Sequence, residues 1–339
     1  MAIKVTDWPG YSYGAFIDGV DLKTLDKEQW MEIADVYLKK LVVVIRDVGW
    51  PEMPAEKYQD FIKQWGVIRS LDMFREMPKE IEEDYLDVLN RFNVKTSDGH
   101  SSHVLRVTGK RDELNRTTGI FSDGELRWHA NEGGSLNHGP GVSLLGRTGM
   151  KKSSTGFNIS AQWWEDQTED FRSELWDVVT ENKYQPYRIN PENLDPQQAV
   201  IVNRNQCVEN DDIPLVAQSP GGIMGIHYPY ATFAKFKNMT KKESDKLHSA
   251  ITESLFVDKY TYDYWYKNDT DWLLFDNSIC LHRRIGETKN RECWRIQHTV
   301  DFIDGGNYNP YFIEPYKTMH AENTKYMKAR YDEASYALY

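Results

Sequence analysis

The 339-residue sequence predicts one α+β domain, built around a β-sandwich or barrel with helices packed outside it. Three observations favour this fold class. The first half mixes helix and strand patterns, the second half is rich in strands with one long helix inserted, and no repeat, low-complexity segment or linker divides residues 1–339. Hydrophobic residues make up 40% of the chain, including 11 Trp, 20 Tyr and 13 Phe, which is enough for a large core and argues against disorder.

The opening elements alternate strand, helix, strand and helix. After an early extended piece, Asp26 can cap a helix, with Gln29 at the capping-box position. The β-branched run Leu41–Ile45 has no polar alternation, as expected of a strand covered on both faces. Apolar residues at helical spacing within 58–65 predict a second helix, which Gly66 ends.

The middle of the chain is less regular. Residues 76–87 are a charge run and predict a solvated helix or loop. Residues 94–126 are polar, rich in Gly, Ser and Thr, and without strong periodicity, so we predict a long connection that serves as a lid or substrate loop. Residues 142–146 predict a strand, 153–157 a polar turn or strand edge, and 171–179 a helix.

The last third predicts further strands and two helices. Thr240 begins a helix, and Glu243 completes its capping box. Residues 260–266 and 272–275 read as two strands joined as a hairpin-like pair. Residues 318–339 can form a C-terminal helix with apolar side chains on one side.

Charge and cysteine content restrict the partners and the compartment. The formal net charge is −11 and the pI about 5.4, so nucleic acid is a poor default partner. Cys207, Cys280 and Cys293 are too few and too irregular for a disulfide framework, and they lack zinc-binding spacing. Residues 1–5 lack the apolar run of a signal peptide, and the longest apolar run, Leu41–Ile45, is too short to span a bilayer. We therefore expect a cytoplasmic protein with no membrane partner.

Two stretches carry residues that suggest a metal site. His129 lies in Leu126–Gly134 and is followed two or three positions later by an oxygen donor, while His282 lies about 150 residues further on. This is the sequence form of the two-histidine, one-carboxylate triad, which holds Fe(II) on one face and leaves three positions open. A lone histidine is more often a core or surface residue, and many proteins contain such a pair by chance, so spacing alone is a weak signal.

Several segments along the chain match one known family in the same order, and such an ordered set is far more specific than any single match. These segments are Gly19–Leu22, Leu41–Arg46, Phe61–Gly66, Trp128-His129, Thr155, Ile226–Tyr230, Asp276-Asn277, His282 and Arg295. Through them most of the chain resembles the taurine dioxygenase / clavaminate synthase-like family of Fe(II)- and 2-oxoglutarate-dependent oxygenases. The resemblance implies a double-stranded β-helix (jelly-roll) core with surrounding helices.

The resemblance implies a role for each matching residue. His129 and His282 look like the two iron ligands. Arg295, 13 residues after His282, looks like the arginine that grips the distal carboxylate of 2-oxoglutarate, since a planar guanidinium binds a carboxylate through two parallel hydrogen bonds. Thr155 is similar to the threonine that donates its hydroxyl to the same carboxylate, and Arg291 could assist. The Asp276-Asn277 pair resembles a turn that positions the second histidine.

The chain departs from the family at the third ligand. Asn131 stands where the family has an Asp or Glu two residues after the first histidine, and an amide is a poorer ligand for Fe(II) than a carboxylate. Three interpretations stay open: Asn131 binds through its carbonyl oxygen, Glu132 supplies the carboxylate from one residue later, or water or halide fills the position. The register places Asn131 in the metal shell, with Glu132 as the alternative.

The predicted function is that of a 2-oxoglutarate-dependent dioxygenase with Fe(II), 2-oxoglutarate and O2. It would hydroxylate an unactivated C–H bond of a small polar metabolite, releasing succinate and CO2. Two alternatives remain: a degenerate family member that binds a small molecule without turnover, and a halogenase-like variant with an altered third ligand. The halogenase reading ranks low, because Asn131 would crowd a chloride. Homo-oligomerisation through aromatic surface and the C-terminal helix is compatible with the sequence.

The remaining histidines receive ordinary interpretations. His138 is expected in a loop, His298 outside the metal shell, and His248 and His320 on helix surfaces. His227 lies in a segment that the resemblance places near the site, where it could form hydrogen bonds or meet substrate.

Overall fold

The computed structural model of the chain describes residues 3–69, 79–122, 124–136, 138–183, 211–302 and 308–337. Its helices and sheets are mixed, which confirms the α+β class. Among these residues no helix is both long and apolar enough to cross a bilayer.

The larger of the two main sheets contains nine strands, and only one of its strand pairs, Ala15–Asp18 with Val42–Ile45, is parallel. Its order is β1 (Lys4–Asp7), β2 (Ala15–Asp18), β3 (Val42–Ile45), β16 (Trp272–Asp276), β8 (Gly141–Thr148), β18 (Glu292–His298), β6 (Ser101–Thr108) and β5 (Asn93–Lys95), with β4 (Ile68–Arg69) paired to β18.

A four-stranded antiparallel sheet has the order β15 (Thr261–Trp265), β9 (Ser153–Ile159), β17 (Cys280–Gly286) and β7 (Leu126–His129). Two smaller sheets are formed by strands that follow β9 in the sequence. In one, β10 (Val179–Asn182) pairs with β11 (Ile213–Pro214) and β14 (Phe233–Phe236), and in the other β12 (Val216–Gln218) pairs with β13 (Met224–Ile226).

Seven α-helices are described. They are α1 (Lys27–Lys40), α2 (Ala55–Lys63), α3 (Lys79–Phe92), α4 (Ser160–Glu165), α5 (Glu169–Leu175), α6 (Lys241–Leu255) and α7 (Tyr316–Ala337). Single 3₁₀ turns span Met150–Lys152 and Asp258–Tyr260.

The two main sheets pack face to face over a shared apolar core. Val44 and Leu273 of the large sheet belong to the same buried cluster as Phe157 and Ile159 of the small one. Burying side chains of this size contributes about 1.5–3 kcal/mol each. This sandwich is the frame on which the predicted site residues are carried.

The opposite face of the large sheet is covered by α1 and α2. Trp30 of α1 stacks between Trp65 and Trp272, with ring centroids 4.4 and 4.8 Å away. Because helices cover this face and the small sheet covers the other, all four residues of β3 are buried. The predictions of a doubly covered strand and of capping boxes on α1 and α6 are therefore confirmed.

The predicted hairpin between residues 260–266 and 272–275 is wrong. The first segment forms β15 and pairs with β9, whereas the second forms β16 of the facing sheet. The reason is Asp271, whose carboxylate accepts hydrogen bonds from the Tyr264 hydroxyl and from the backbone N–H groups of Lys267 and Asn268. These bonds turn the chain from one sheet to the other.

Three further predictions need correction. Residues 153–157 are not an edge but part of β9, which is buried and lies between β15 and β17. The supposed connection 94–126 contains β6, eight residues long, because Val104, Leu105 and Val107 bury against neighbouring elements; residues 109–122, 124 and 125 remain a connection. The predicted 171–179 helix ends at Leu175, as Val179 begins β10.

Candidate metal centre

The residues predicted for the site converge on one cavity, lined from both main sheets. His129 and His282 come from the small sheet, and Arg295 comes from the large one. The full lining consists of Val107, Phe121, Leu126, His129, Asn131, Val142, Leu144, Thr155, Phe275, His282, Arg283, Arg284, Arg291 and Arg295.

The two histidines are neighbours across β7 and β17. They are register partners, so both side chains project from the same face of the small sheet. Their ring centroids lie 4.2 Å apart, and both residues are buried. Two residues more than 150 positions apart are thus brought to one point by strand pairing.

The hydrogen bonds and burial of these rings fix their chemical state. The Nδ1–H of His129 donates to the Arg127 carbonyl at 2.7 Å, which leaves Nε2 as the ring nitrogen with a lone pair. Burial, helped by the charges of Arg295 and Arg284, lowers the pKa of His129 to about 4. Burial and the neighbouring His129 lower the pKa of His282 well below its usual value. Both imidazoles are therefore neutral at pH 7, the form that binds metal ions.

The ring of His282 also contains a second buried polar atom. Its Nδ1 has no hydrogen-bond partner among the described residues. A buried polar atom of this kind costs about 1–3 kcal/mol unless a ligand or water satisfies it.

Asn131 is held at the same end of the cavity by both its side chain and its backbone. Its Oδ1 accepts a hydrogen bond from Arg295 Nη1 at 3.1 Å. Asn277 forms two bonds to its backbone: the Asn131 N–H donates to Asn277 Oδ1 at 2.8 Å, and Asn277 Nδ2 donates to the Asn131 carbonyl at 2.9 Å. Asn277 therefore ties the turn after the first histidine to the turn before the second.

Two further groups support these turns. The ring nitrogens of His227 lie 2.6 Å from the Ser278 carbonyl and 2.9 Å from the Gly133 carbonyl, so this residue bridges the same pair of turns. Asp276 accepts the N–H groups of Ser278 and Ile279 at 2.9 and 2.7 Å, and burial raises its pKa to about 7.

Glu132, the alternative third ligand, is directed elsewhere. It has a positive φ of 55°, and it is not one of the residues that line the cavity. Its charge acts on Arg69, where it opposes the lowering of the Arg69 pKa by burial. No described residue in the cavity wall carries a carboxylate, and the described ranges contain no group of three His, Cys, Asp or Glu residues that could hold a metal.

The cavity wall is instead rich in arginine. Arg283 pairs with Asp263, its Nε donating at 2.9 Å, and lies over the Trp128 ring. Arg284 donates to the carbonyls of Phe121 and Gly124 at 2.7 and 2.8 Å. These bonds hold part of the 109–125 connection against the cavity.

The far end of the cavity contains a second polar group. The Thr155 hydroxyl lies 2.8 Å from the Tyr266 hydroxyl, and the Arg291 guanidinium lies 5.7 Å from the centre of the Tyr266 ring. The Arg291 carbonyl accepts bonds from the Thr108 hydroxyl at 2.6 Å and from Gly109 N–H at 3.3 Å. Arg291 is thereby anchored at the end of β6.

The structure brings together all the predicted site residues except Glu132. Sequence reasoning missed Tyr266, Phe121 and Arg284. Of these three, only Arg284 could have been predicted from the sequence. It lies two positions after His282, and residues at that spacing project from the same face of a strand. His320 was expected on a helix surface, which is wrong: it is buried, with its ring 5.7 Å from that of Tyr311.

Similar folds occur among solved structures of oxygenases. A taurine dioxygenase from Burkholderia xenovorans is similar with a TM-score of 0.62 and 18% identity, covering 94% of this chain and 98% of that one. AAD-2 in complex with Mn(II) and N-oxalylglycine is similar with a TM-score of 0.59 and 14% identity, covering 88% and 97%. No protein-family model and no curated protein sequence matches the chain. The structural neighbours are thus taurine dioxygenase and related 2-oxoglutarate-dependent dioxygenases, which supports the fold of that class.

Proposed function

We propose that the protein is an Fe(II)- and 2-oxoglutarate-dependent oxygenase that oxidises an unactivated C–H bond of a small polar metabolite, with hydroxylation as the outcome. The observation that carries this proposal is the pair His129 and His282, neutral and adjacent in a buried cavity that also contains Arg295 and Thr155. The fold of the structural neighbours supports it. On this proposal, the two packed sheets are a double-stranded β-helix (jelly roll).

The metal would be held by His129, His282 and the side-chain carbonyl of Asn131. Three features fit a metal ion: His129 keeps a lone pair on Nε2, His282 Nδ1 is buried without a hydrogen-bond partner in the described part of the chain, and Asn131 lines the cavity. Asn131 is preferred to Glu132 because Asn131 lines the cavity together with the two histidines and Glu132 is not among the lining residues.

The co-substrate would be bound by Thr155, Arg291 and Arg295. 2-Oxoglutarate carries two negative charges, and a cavity with arginine side chains and no carboxylate in its described wall favours such an anion. When bound, Fe(II), 2-oxoglutarate and O2 supply the oxidising chemistry, with succinate and CO2 as products.

The chain's own contribution is to bind and orient the substrate and to exclude water from the site. Apolar side chains, among them Val107, Leu144 and Phe275, surround the polar groups and keep the site dry. Phe121 lies beside His129, with ring centroids 6.2 Å apart. We propose that Phe121, with the described residues 109–122, 124 and 125 of the predicted lid, forms one wall of the substrate pocket.

The alternative of a degenerate binding protein rests on Asn131, which gives the metal no negative charge. The retention of Thr155, Arg291 and Arg295 in the same cavity argues for a working co-substrate site instead. A halogenase-like variant needs room for a halide at the third position, whereas the Asn131 side chain occupies that side and is bonded to Arg295.

We further propose a cytoplasmic location and a small-molecule partner. A cytoplasmic enzyme that acts on a small molecule is consistent with the free, buried thiols of Cys280 and Cys293. The net charge of −11 disfavours a nucleic-acid partner.

The test is an anaerobic titration of the protein with Fe(II) and 2-oxoglutarate, followed by exposure to air. We expect a weak metal-to-ligand charge-transfer band in the visible and then succinate, with both signals absent in His282→Ala. A protein that gives no band and forms no succinate is not an oxygenase. A band without succinate, even when candidate substrates are supplied, would favour the binding protein.

A further inference from the structure

One arginine of the cavity wall holds the connection that precedes β7. Arg284 lies on β17, two residues after His282, and is 3% exposed. Its Nη1 donates to the Phe121 carbonyl at 2.7 Å, and its Nη2 donates to the Gly124 carbonyl at 2.8 Å. The planar guanidinium thus spans two carbonyls that lie three residues apart in the chain.

The two carbonyls belong to a short stretch between two attachments. Before it, the Ile120 N–H donates to the Arg106 carbonyl at 2.9 Å, and Ile120 forms a parallel bridge with Val107 of β6. After it, β7 begins at Leu126, which is the register partner of Arg284. Arg284 therefore ties down the residues between these two attachments.

Phe121 adopts a backbone conformation that needs such support. Its φ is 55°, in the left-handed region, which costs free energy for a residue with a Cβ atom. A conformation of this kind persists where the surrounding structure holds it in place. The bond from Arg284 to the Phe121 carbonyl acts directly on this residue. When that bond is lost, we expect the backbone at Phe121 to relax and its ring to move.

The position of the Phe121 ring matters because of the residue that it faces. Its centroid lies 6.2 Å from that of the His129 ring in an edge-to-face arrangement, and Phe121 lines the cavity. We call the end of the cavity that contains His129, His282 and Asn131 the metal end. A substrate group that approaches His129 along this wall would meet an aromatic ring.

The charge of Arg284 suggests a second role, which a conservative substitution can separate from the first. Burial is the largest cause of the lowered pKa of His129, and the charges of Arg295 and Arg284 add to it. A lysine at position 284 would supply the same charge. It would not supply the planar fork that reaches both carbonyls.

We propose that Arg284 is a positioning residue: its guanidinium holds Phe121 in the left-handed conformation and thereby keeps the Phe121 ring beside His129. The ring is then the part of the wall that a substrate meets at the metal end. This role toward a substrate rests on the proposed function, whereas the contact between Arg284 and Phe121 does not.

The experiment follows the ring itself. A single para-fluorophenylalanine replaces Phe121, and fluorine NMR spectra are recorded without metal and with Mn(II), in the absence of O2. Mn(II) bound at the histidines broadens a nearby fluorine resonance, and this effect falls steeply with distance.

The variants are Arg284→Gln, which removes the fork and the charge, and Arg284→Lys, which removes the fork alone. Arg283→Lys is the matched control, because Arg283 is the next residue along the strand and donates to Asp263 instead. Circular dichroism and the melting temperature show which variants fold, and either Arg284 variant suffices if the other does not fold.

In the wild-type protein we expect one fluorine resonance, which Mn(II) broadens beyond detection. In both Arg284 variants the fraction of molecules with the ring away from His129 should rise about 10- to 100-fold, because at least one hydrogen bond to a charged group is lost. The metal-free resonance should therefore shift or split, and a resonance should survive the addition of Mn(II). Arg283→Lys should behave as the wild type.

Three results would overturn the proposal. Unchanged spectra in both Arg284 variants mean that other contacts hold the ring. A wild-type spectrum in Arg284→Lys beside a changed one in Arg284→Gln means that charge, and not the fork, positions Phe121. An equal change in Arg283→Lys means that disturbance of the strand moves the ring.

Failure of the proposed function gives a different result. In that case Mn(II) leaves the fluorine resonance of the wild-type protein unbroadened. The metal-free spectra of the Arg284 variants still decide whether Arg284 positions Phe121.

Discussion

The two ends of the cavity differ in the neutral groups that lie beside an arginine. At the histidine end, Arg295 donates to Asn131 beside the neutral rings of His129 and His282, and no carboxylate lies among the described residues of the wall. At the far end, Arg291 lies beside the Tyr266 ring, whose hydroxyl is 2.8 Å from that of Thr155. A divalent ion at the first end would receive no compensating charge from the protein. On the proposed function, the negative charge would arrive with the co-substrate, so the binding of metal and of 2-oxoglutarate should be strongly coupled.

Removing one imidazole should break the metal end with the largest effect. We expect His282→Ala to weaken Mn(II) binding, measured with 2-oxoglutarate present, by more than about 100-fold, because loss of an outer-shell partner alone costs 10- to 100-fold. His298→Ala is the matched control, since His298 is a buried histidine of β18 outside the cavity lining. If the His282→Ala and His298→Ala variants bind Mn(II) with equal affinity, His282 is not a metal ligand.

A carboxylate at position 131 should let the histidine end bind a metal ion without help from the co-substrate. Asn131→Asp should raise Mn(II) affinity about 10- to 100-fold without 2-oxoglutarate and reduce its dependence on the co-substrate, because a carboxylate offsets metal charge in a low-dielectric site. Glu132→Gln is the control, with less than about 3-fold change. A large loss in Glu132→Gln with no gain in Asn131→Asp would identify Glu132 as the third ligand.

Cutting the link between the two turns should loosen the metal end but not the far end. Asn277→Ala leaves the backbone N–H and carbonyl of Asn131 without their partner 146 positions away. We expect the free energy of unfolding, measured by urea denaturation, to fall by about 2–4 kcal/mol. Metal affinity should fall about 10-fold. Unchanged metal affinity in a destabilised variant would show that the clamp serves folding alone.

The smallest effect concerns Asp276, a buried carboxylate outside the cavity lining. Burial raises its pKa from 3.8 to about 7, so the native state holds a proton that the unfolded chain has released. The free energy of unfolding should therefore fall as pH rises from about 4 to 7. The slope against pH should be no steeper than that for the release of about one proton. Asp276→Asn should remove that slope and leave Mn(II) affinity unchanged. A lower metal affinity would contradict a purely structural carboxylate.

Much of the fold could be predicted from local signals. Capping boxes at Asp26 and Thr240 and the uninterrupted run 42–45 depend on neighbours in the chain, and all three appear as predicted. The false hairpin at 260–275 shows the limit of such signals. The direction of the chain after that turn depends on Asp271. Tertiary packing determines which groups donate hydrogen bonds to its carboxylate.

The site was predictable in its residue types and less so in its arrangement. His129, His282, Thr155, Arg291 and Arg295 do share one cavity. Their grouping could not be read from spacing, because it depends on strand register and on a partner elsewhere in the chain. Tyr266, one residue after β15, joins the site through a hydrogen bond to Thr155 that no sequence motif predicts, whereas the Asn277 turn was indicated by the resemblance but its bonds to Asn131 were not.

The dissociation constant of Fe(II), measured anaerobically with and without saturating 2-oxoglutarate, shows whether the co-substrate supplies the negative charge that a bound metal ion needs. A metal end without a protein carboxylate predicts binding at least about 10-fold tighter when the co-substrate is present, and by linkage the same factor for 2-oxoglutarate when Fe(II) is present. Equal and tight Fe(II) binding under both conditions would contradict the account, because the protein would then supply the missing negative charge itself.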